Sequence, residues 1–383
     1  MGDKNKLKIA MLGHKRVPSR EGGIEIVVEE LASRMVEQGH EMTCYNRRGH
    51  HVSGAEFDGE QVDNYKGIKI KTVPTIERKG LAAMTSSFFA AVKAAFGNYD
   101  IVHIHAEGPA AMCWIPKLFG KKIIVTIHGI DWQREKWKGG FGSMYIKFGE
   151  KCAVKFADEI IVLSKGVQKY FMDTYSRKTV YIPNGVNRPV KKEPNEIKNR
   201  WNLEKDNYIL FLGRLVPEKG LRYLVEAYKV LETNKKLVIA GGGSDTQDFM
   251  DELKGSCKNI ADRVIFTGFI QGQVLDELYS NAYFYVLPSD LEGMPLSLLE
   301  AMSYGNCCVV SDIDECKSVV DGKAVTFRKS DVDDLKEKFE MLLADPTLVQ
   351  EYKDEVADYI CEKYGWDRVV DETVEVYRRV SRK

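Results

Sequence analysis

The sequence predicts two tandem doubly wound α/β domains, and three observations support that prediction. The chain has 383 residues, a length that fits two or three domains. Short, continuously apolar segments rich in Ile and Val alternate with helical patterns in two successive series, which is typical of parallel sheets covered by helices on both faces. A polar stretch with two prolines, NRPVKKEPNEIKN, separates the series and places the domain boundary near 186–207.

The first series runs from residue 8 to residue 185. Its apolar segments predict strands in KIAML (8–12), EMTCYN (41–46), GIKIKTV (67–73), YDIVHIH (99–105), KKIIVTIH (121–128), DEIIVLS (158–164) and TVYIPNG (179–185). Apolar residues at helical spacing predict helices over 25–38, 82–96, 109–119, 143–156 and 166–175. Gly39 is a stop signal for the first of these helices.

The second series repeats the alternation. The predicted strands are YILFLGR (208–214), KLVIAGGG (236–243), RVIFTGF (263–269), YFYVLPS (283–289), CCVVS (307–311) and AVTF (324–327). The predicted helices are 220–232, 246–256, 273–281, the segment that carries Glu300, a short helix after 311, and 331–344.

These patterns divide the chain into residues 1–188, residues 189–365 and an amphipathic terminal helix over 366–383. The terminal helix is expected to cross back onto the first domain; a plain C-terminal helix on the second domain is the alternative. Ligands of doubly wound sheets bind beyond the carboxyl ends of the strands. Two such domains facing each other would form an interdomain cleft.

The composition is that of a soluble globular protein, with 44% apolar and 29% charged residues. No apolar run approaches the ~18 residues of a membrane span, and the apolar run at 9–12 is too short for a signal-peptide core. We therefore expect a cytoplasmic protein. The eight cysteines form no C-x-x-C pair, which favours reduced thiols without a disulfide or a bound metal.

The net charge of zero hides an asymmetry between the two halves. Residues 1–185 contain 28 Lys and Arg against 20 Asp and Glu, a net +8, whereas residues 186–383 contain 28 against 36, a net −8. A basic half indicates an anionic partner, either nucleic acid or an anionic membrane. The alternative is that two domains of opposite charge attract each other.

Candidate site residues lie beside the predicted strands of the first half. Gly22 and Gly23 precede a helix start, whose free N–H groups favour an anion, although a simple turn would use the same pair. His128 ends a strand, where a residue of the ligand cleft is expected, unless it is an ordinary loop histidine. His103 and His105 share a strand face, but no nearby acid or cysteine completes a metal site, so no metal is expected.

Two cations follow the first predicted strand of the second half. Arg214 comes directly after that strand and Lys219 lies five residues on; together they can clamp a diphosphate, unless both are solvated surface residues. The Gly-Gly-Gly at 241–243 would let another loop approach a ligand. The chain contains no G-x-G-x-x-G and no G-x-x-x-x-G-K-[ST], so dinucleotide and P-loop sites lack support.

Two acids flank the apolar segment EGMPLSLLEAMSYG. Glu292 precedes a Gly-Met-Pro turn, and Glu300 lies about two helical turns later inside an apolar pattern. A buried carboxylate needs a partner, and a ribose diol offers two O–H donors for its two oxygens. The N–H groups over 293–296 start the helix and can meet phosphate or sugar oxygens.

Together these motifs resemble those of the GT-B glycosyltransferases, and specifically the large retaining family 4. They occur in the order of that family and span nearly the whole chain. The matching segments are Gly22-Gly23-Ile24-Glu25, Thr126-Ile127-His128-Gly129, Ile182-Pro183-Asn184-Gly185-Val186, Gly213-Arg214-Leu215 with Lys219-Gly220, and Glu292-x7-Glu300.

The resemblance implies two Rossmann-like domains, of which residues 1–188 bind the acceptor and residues 189–365 bind a nucleotide-sugar donor. It implies that Arg214 and Lys219 hold the donor diphosphate and stabilise the departing charge. The implied catalytic residues are His128, Arg214, Lys219 and Glu292. The implied donor-binding residues are Gly22, Gly23, Asn184, Gly213, Phe269, Ile270, Gly293, Met294, Pro295, Leu296 and Glu300. The resemblance further implies retention of anomeric configuration, with no cofactor and no metal.

Within the family, the N-terminal block resembles a bacterial subgroup that includes rhamnosyltransferases of capsule and surface-polysaccharide assembly. Gly-His-Lys-Arg and G-G-I-E replace the G-T-R-G-I-P-type start and the G-G-F-E that are more usual there. Basic residues of the first half are expected to dock it on an anionic membrane that bears a lipid-linked acceptor. These residues are Arg16, Arg20, Arg47, Arg48, Lys66, Lys69, Lys71, Arg78 and Lys79.

The sequence therefore predicts a retaining glycosyltransferase that moves rhamnose or another hexose from a nucleotide-diphospho-sugar to a lipid-linked or saccharide acceptor in cell-surface polysaccharide synthesis. A nucleotide-sugar epimerase or a sugar phosphorylase of the same fold is the alternative. A second alternative is a non-enzymatic protein that binds a nucleotide sugar or a nucleic acid. The modest charge excess without an aromatic-basic repeat argues against nucleic acid.

Overall fold

Two units make up the chain, which a computed structural model describes over residues 6–51, 54, 57–58, 62–78, 80–133, 140–243 and 247–382. The first unit contains Met1–Asn184 with Trp366–Lys383, and the second contains Gly185–Gly365. The doubly wound α/β class that the sequence predicts is confirmed in both units.

In the described part of the first unit, eight strands form one sheet. They are β1 (Lys8–Leu12), β2 (Glu41–Arg47), β3 (Asn64–Tyr65), β4 (Ile68–Val73), β5 (Ile101–His105), β6 (Lys122–Ile127), β7 (Glu159–Val162) and β8 (Val180–Tyr181). Their spatial order is β3-β4-β2-β1-β5-β6-β7-β8, and β3 alone runs antiparallel to its neighbour. The order reverses between β1 and β5, the position at which doubly wound sheets bind ligands.

The helices of the first unit before its last strand are α1 (Gly23–Glu37), α2 (Leu81–Phe96), α3 (Glu107–Ala110), α4 (Trp114–Leu118), α5 (Gly140–Phe156) and α6 (Lys165–Tyr175). The single helix predicted over 109–119 is wrong, since two short helices occupy this region. Pro116 explains the break before α4, because it has no N–H to bond the carbonyl of Met112 and is therefore tolerated only in the first turn of a helix that starts at Trp114.

The second unit has a six-stranded parallel sheet among its described residues. Its strands are β9 (Tyr208–Leu212), β10 (Lys236–Ala240), β11 (Val264–Gly268), β12 (Phe284–Leu287), β13 (Cys308–Ser311) and β14 (Val325–Phe327), in the order β11-β10-β9-β12-β13-β14. The helices are α7 (Glu196–Trp201), α8 (Leu221–Lys229), α9 (Gln247–Ser256), α10 (Gln273–Asn281), α11 (Leu296–Ser303), α12 (Asp314–Val320), α13 (Val332–Ala344) and α14 (Pro346–Lys363).

The boundary between the units falls after Asn184 rather than after residue 188. Val186 explains the difference: its N–H donates to the carbonyl of Tyr364 at 2.7 Å, and it bridges to Gly365, so this segment belongs to the second unit. The polar stretch that marked the boundary also contains α7, whose six residues are too few and too polar to show helical periodicity.

The terminal helix α15 (Trp366–Ser381) packs on α1 of the first unit. Its buried face carries Val370, Val374 and Tyr377, whose spacing of three and four residues forms one apolar stripe. None of the described helices has the length and apolar character needed to cross a bilayer. All eight cysteines are free thiols, and seven of them are buried.

Candidate functional site

In the second unit, two loops interlock where the strand order reverses, between β9 and β12. The backbone N–H of Asp290, after β12, donates to the carbonyl of Glu218, after β9, at 2.9 Å. Gly220 has a φ of +69°, and a Cβ there would lie 1.8 Å from the carbonyl oxygen of Pro288. Only glycine therefore fits at this position. The close contact between Gly220 and Pro288 holds the loop that carries Lys219 against the loop that carries Glu292.

Lys219 and Glu292 meet in this interlocked region. The Lys219 ammonium donates to Glu292 Oε1 at 2.5 Å, and the two side chains are only 12% and 9% exposed. Ser289 Oγ donates to the same carboxylate oxygen at 2.6 Å, and the Ser289 carbonyl in turn accepts from Ser311 Oγ. A cation and an acid are therefore in contact at the carboxyl end of the sheet, where little water screens their charges.

Arg214 and Gly213 lie in the same loop. Arg214 is half-buried, and Lys219 Cε lies 3.9 Å from where a Cβ on Gly213 would be. Gly241, at a φ of +137°, leaves only 1.8 Å between a would-be Cβ and the Gly213 carbonyl oxygen. The glycine at 241 therefore lets the loops after β9 and β10 pack backbone to backbone.

Glu300 on α11 is half-buried and has a protein partner for one of its oxygens. Tyr279 on α10 donates its hydroxyl to Glu300 Oε2 at 3.1 Å. Its ring stacks on Tyr304 at 5.2 Å between centroids, and the Tyr304 hydroxyl donates to Asp276 at 2.6 Å. A tyrosine therefore orients the carboxylate that the sequence assigns to a ribose.

The other predicted donor residues of this unit lie at the same end of the sheet. Gly293, Met294 and Pro295 are buried, and Leu296 opens α11. No side chain caps the start of that helix, and the first N–H groups of a helix have no partner within the helix itself. Phe269 and Ile270 are half-buried and follow β11 at the sheet edge.

His128 follows β6 in the first unit and belongs to a cluster of histidines. Its Nε2 lies 3.1 Å from Nδ1 of His105, and the His105 ring lies 4.2 Å from the His103 ring. His103 hydrogen-bonds through Nδ1 with the Tyr377 hydroxyl at 2.6 Å and through Nε2 with Thr126 Oγ1 at 2.7 Å. Both ring nitrogens of His103 are hydrogen-bonded within the protein, so neither is available to bind a metal.

Burial keeps His14, His103 and His105 neutral at pH 7. It lowers the pKa of His103 to about 3, with the charge of His128 adding to the effect. Burial likewise lowers the pKa of His14 to about 4. The pKa of His105 is also well below its usual value, because the ring is buried and three other histidines surround it.

Gly22, Gly23 and Asn184 also belong to the first unit. Gly22 precedes α1, which Gly23 opens, and Asn184 is buried after β8. A Cβ on Gly22 would lie 2.8 Å from Glu25 Oε2, while Glu25 Oε1 accepts the backbone N–H of Lys15 at 2.8 Å. The first turn of α1 therefore already holds a carboxylate of the chain, which competes with the anion predicted there.

Sequence reasoning missed two fully buried acids in the first unit, Glu107 and Glu150. Glu107 Oε2 accepts the backbone N–H of Asp131 at 2.8 Å. Glu150 accepts the hydroxyls of Tyr170, at 2.9 Å, and Tyr175. Burial, together with the nearby acids Asp131 and Glu150, raises the pKa of the Glu107 carboxyl to about 10, so this group is protonated at neutral pH.

We predict that Glu107→Gln stabilises the protein at pH 8 but not at pH 4.5. Below the ordinary Glu pKa of 4.5 the carboxyl is protonated in both the folded and the unfolded chain. Above it, only the unfolded chain releases the proton, so stability falls as pH rises toward the folded-state pKa. Glutamine cannot ionise, and the expected gain at pH 8 is at most about 5 kcal/mol.

Melting temperatures at the two pH values measure this effect. The exposed Glu77→Gln is the control and should show no pH-dependent gain. An equal gain for Glu107→Gln at both pH values would mean that Glu107 is ionised in the folded protein.

Among the described residues, no group of three or more His, Cys, Asp and Glu side chains could hold a metal ion. The sequence contains D-x-D patterns at 312–314 and 331–333, and their acids support local structure. Asp312 accepts the backbone N–H of Lys329 at 2.9 Å, and Asp331 caps α13 through the N–H of Asp334 at 2.9 Å.

Two family models match the chain. The model described as Glycosyltransferase Family 4 matches residues 21–188, and the model described as Glycosyl transferases group 1 matches residues 193–359. The first match falls mainly on the first unit and the second lies within the second unit.

Similar proteins include an uncharacterised glycosyltransferase of Methanocaldococcus jannaschii, 26% identical over 97% of this chain and 98% of that protein. A UDP-Gal:alpha-D-GlcNAc-diphosphoundecaprenol alpha-1,3-galactosyltransferase of Escherichia coli is 29% identical over 57% of this chain and 59% of its own length. The structure of the Anabaena protein HepE in complex with UDP-glucose covers 97% of this chain and all of its own, with a TM-score of 0.79 and 16% identity. At 16% identity, the similarity to the Anabaena structure shows a shared fold only.

Proposed function

The chain belongs to the GT-B glycosyltransferases of group 1 and family 4, which use nucleotide sugars, and on that premise we propose its reaction. It transfers a hexose from a nucleotide-diphospho-sugar to a lipid-linked or saccharide acceptor in cell-surface polysaccharide synthesis. Transfer proceeds with retention of anomeric configuration and needs no metal ion. The rhamnosyltransferase subgroup indicated by the N-terminal block is part of this proposal.

The joined cluster of Lys219, Glu292 and Ser289 carries the proposal. When the bond between the anomeric carbon and the diphosphate oxygen breaks, negative charge grows on the leaving diphosphate. The Lys219 ammonium, with Arg214 in the same loop, is placed to stabilise that charge, while Glu292 accepts hydrogen bonds from sugar hydroxyls. The oxygen of the acceptor hydroxyl bonds to the anomeric carbon on the face that the diphosphate leaves, and the leaving phosphate takes the hydroxyl proton. The protein therefore supplies no nucleophile.

For the donor, we propose a uridine-linked hexose first and deoxythymidine-linked rhamnose second. The name of the E. coli relative specifies UDP-Gal, and the Anabaena structure holds UDP-glucose. Glu300 binds the ribose hydroxyls, with Tyr279 holding the carboxylate in place. The same E. coli name specifies a diphosphoundecaprenol acceptor, which supports a lipid-linked acceptor here.

The first test incubates the purified protein with EDTA and a panel of rhamnose, glucose, galactose, N-acetylglucosamine and mannose donors. Slow release of free nucleoside diphosphate from one donor is the expected result and identifies the sugar. Conversion of one donor into another without release would favour the epimerase. Absence of both release and any donor-induced rise in melting temperature would contradict the proposal.

We predict that Glu300→Gln weakens donor binding about tenfold or more, because a neutral amide replaces the charged acceptor of the ribose hydroxyls. Tyr279→Phe should weaken it less, since the carboxylate remains but loses its hydroxyl partner. Donor titration by calorimetry measures both effects. The exposed Glu351→Gln is the matched control. Wild-type affinity in Glu300→Gln would exclude Glu300 as the ribose ligand.

A further inference from the structure

The first unit exposes large apolar side chains on one helical layer, formed by α2, α4 and α5. Six of them are more than half exposed: Phe96 (73%), Leu118 (72%), Phe119 (52%), Phe141 (68%), Met144 (63%) and Phe148 (52%). Among the described residues of the second unit, the exposed large apolar side chains are Val190, Val230 and Met341, on three separate elements. Such a concentration on one unit indicates a docking surface.

These side chains lie on neighbouring helices. The rings of Phe96 on α2 and Phe119 after α4 pack edge to face at 4.7 Å between centroids. Phe141, Met144 and Phe148 recur at helical spacing along one side of α5, whose opposite side is buried. The α4 and α5 helices contact each other, and we call this surface the α2–α4–α5 face.

The same face carries cations without matching acids. Lys93 on α2 and Lys147, Lys151 and Lys155 on α5 are exposed, and none pairs with a carboxylate among the residues that the structure describes. The acids of this layer are withdrawn from the surface, because Glu107 and Glu150 are fully buried. Exposed aromatic rings beside lysines that have no carboxylate partner among the described residues match an anionic lipid surface.

The basic residues that sequence reasoning assigned to membrane docking are less suitable. Arg16 lies 3.3 Å from Asp58, and Lys66 lies 3.1 Å from Glu29. Burial lowers the pKa of Arg47, whose guanidinium faces Glu25 and Glu21 inside the protein. Lys69 lies 3.8 Å from Glu41, and Lys79 falls outside the described residues. Much of this positive charge is already neutralised within the chain.

We propose that the α2–α4–α5 face docks on the surface of an anionic bilayer, with its aromatic side chains among the headgroups and its lysines against the lipid charge. The inference rests on the proposed transfer to a lipid-linked acceptor. A second copy of the chain is the less favoured occupant, because two such faces in contact would bring lysines of like charge together.

Co-sedimentation with phosphatidylcholine vesicles, with and without phosphatidylglycerol, tests the proposal. The full chain should bind the anionic vesicles at low salt and dissociate from them as salt is added. It should not bind the neutral vesicles. Lys151→Gln with Lys155→Gln should weaken binding about fivefold per lysine, or about 25-fold together. Phe141→Ser, Met144→Ser and Phe148→Ser combined should weaken it about tenfold or more.

Matched controls come from the exposed surface of the second unit. Lys254→Gln with Lys258→Gln, and Val190→Ser with Val230→Ser, should leave vesicle binding unchanged. Equal binding by the face variants and the controls would overturn the proposal. So would a dimer in lipid-free sedimentation velocity that the Phe141, Met144 and Phe148 substitutions dissolve, since this would assign the face to a second copy.

A donor-binding assay distinguishes a failure of the docking proposal from a failure of the proposed function. The face variants should keep the full donor-induced rise in melting temperature, because all of the substituted residues belong to the first unit and the donor residues Lys219, Glu292 and Glu300 belong to the second. Donor binding without vesicle binding would refute only the docking surface. Vesicle binding without donor binding or diphosphate release would refute the proposed function and leave a lipid-binding protein.

Discussion

Replacing Lys219 with methionine should lower kcat/KM for donor turnover by about a thousandfold. The ammonium of Lys219 lies 2.5 Å from Glu292, in a site where the two side chains are 12% and 9% exposed. Without it, the Glu292 carboxylate remains where an anionic diphosphate is to bind. The variant therefore loses an attraction for the leaving group and gains a repulsion, and both are strong because little water screens them.

The double variant Lys219→Met with Glu292→Gln separates the two effects. Removing the uncompensated carboxylate should restore donor binding, measured as a rise in melting temperature, but should not restore turnover, since no cation has returned. Arg222 and Glu252 provide the control, as an ion pair of the same unit that is 49% and 54% exposed. Arg222→Met should change turnover little. Wild-type turnover in Lys219→Met would remove this cluster from the active site.

Local patterns in the sequence were sufficient to find both members of that ion pair. Lys219 was identified because it follows an apolar strand and precedes a helix, and Glu292 because it follows another apolar strand before Gly-Met-Pro. Both arguments depend only on residues within one strand–loop–helix unit. The strands and most helices were predictable for the same reason, since periodicity reports which face of an element is buried.

The pairing itself was not predictable, because Lys219 and Glu292 are 73 residues apart and meet only if β9 lies beside β12. Strand order leaves no trace in local periodicity. The same limit applies to Tyr279, which reads as an ordinary residue of an amphipathic helix until the fold brings it to Glu300. The same limit applies to Arg47, whose guanidinium faces the distant acids Glu25 and Glu21, a contact that a charge count cannot show.

Replacing His105 with leucine should lower kcat by about a hundredfold while leaving donor affinity unchanged. His105 is fully buried and contacts His128 through one hydrogen bond of 3.1 Å, so its effect on the reaction passes through the orientation of His128. Misplacing a catalytic side chain such as His128 by about 1 Å can cost two orders of magnitude in rate. His105→Asn is the matched variant, because its amide can replace Nδ1 and should restore most of the rate.

The His105→Leu substitution should lower kcat without lowering the melting temperature. Nε2 of His105 is buried and has no hydrogen-bond partner among the described residues. Leucine removes this unpaired nitrogen from the interior, so the melting temperature of His105→Leu should stay the same or rise. A residue that serves only packing would lose stability without a specific loss of kcat. A His105→Leu variant that melts earlier and keeps its kcat would therefore show that the histidine supports the core and not His128.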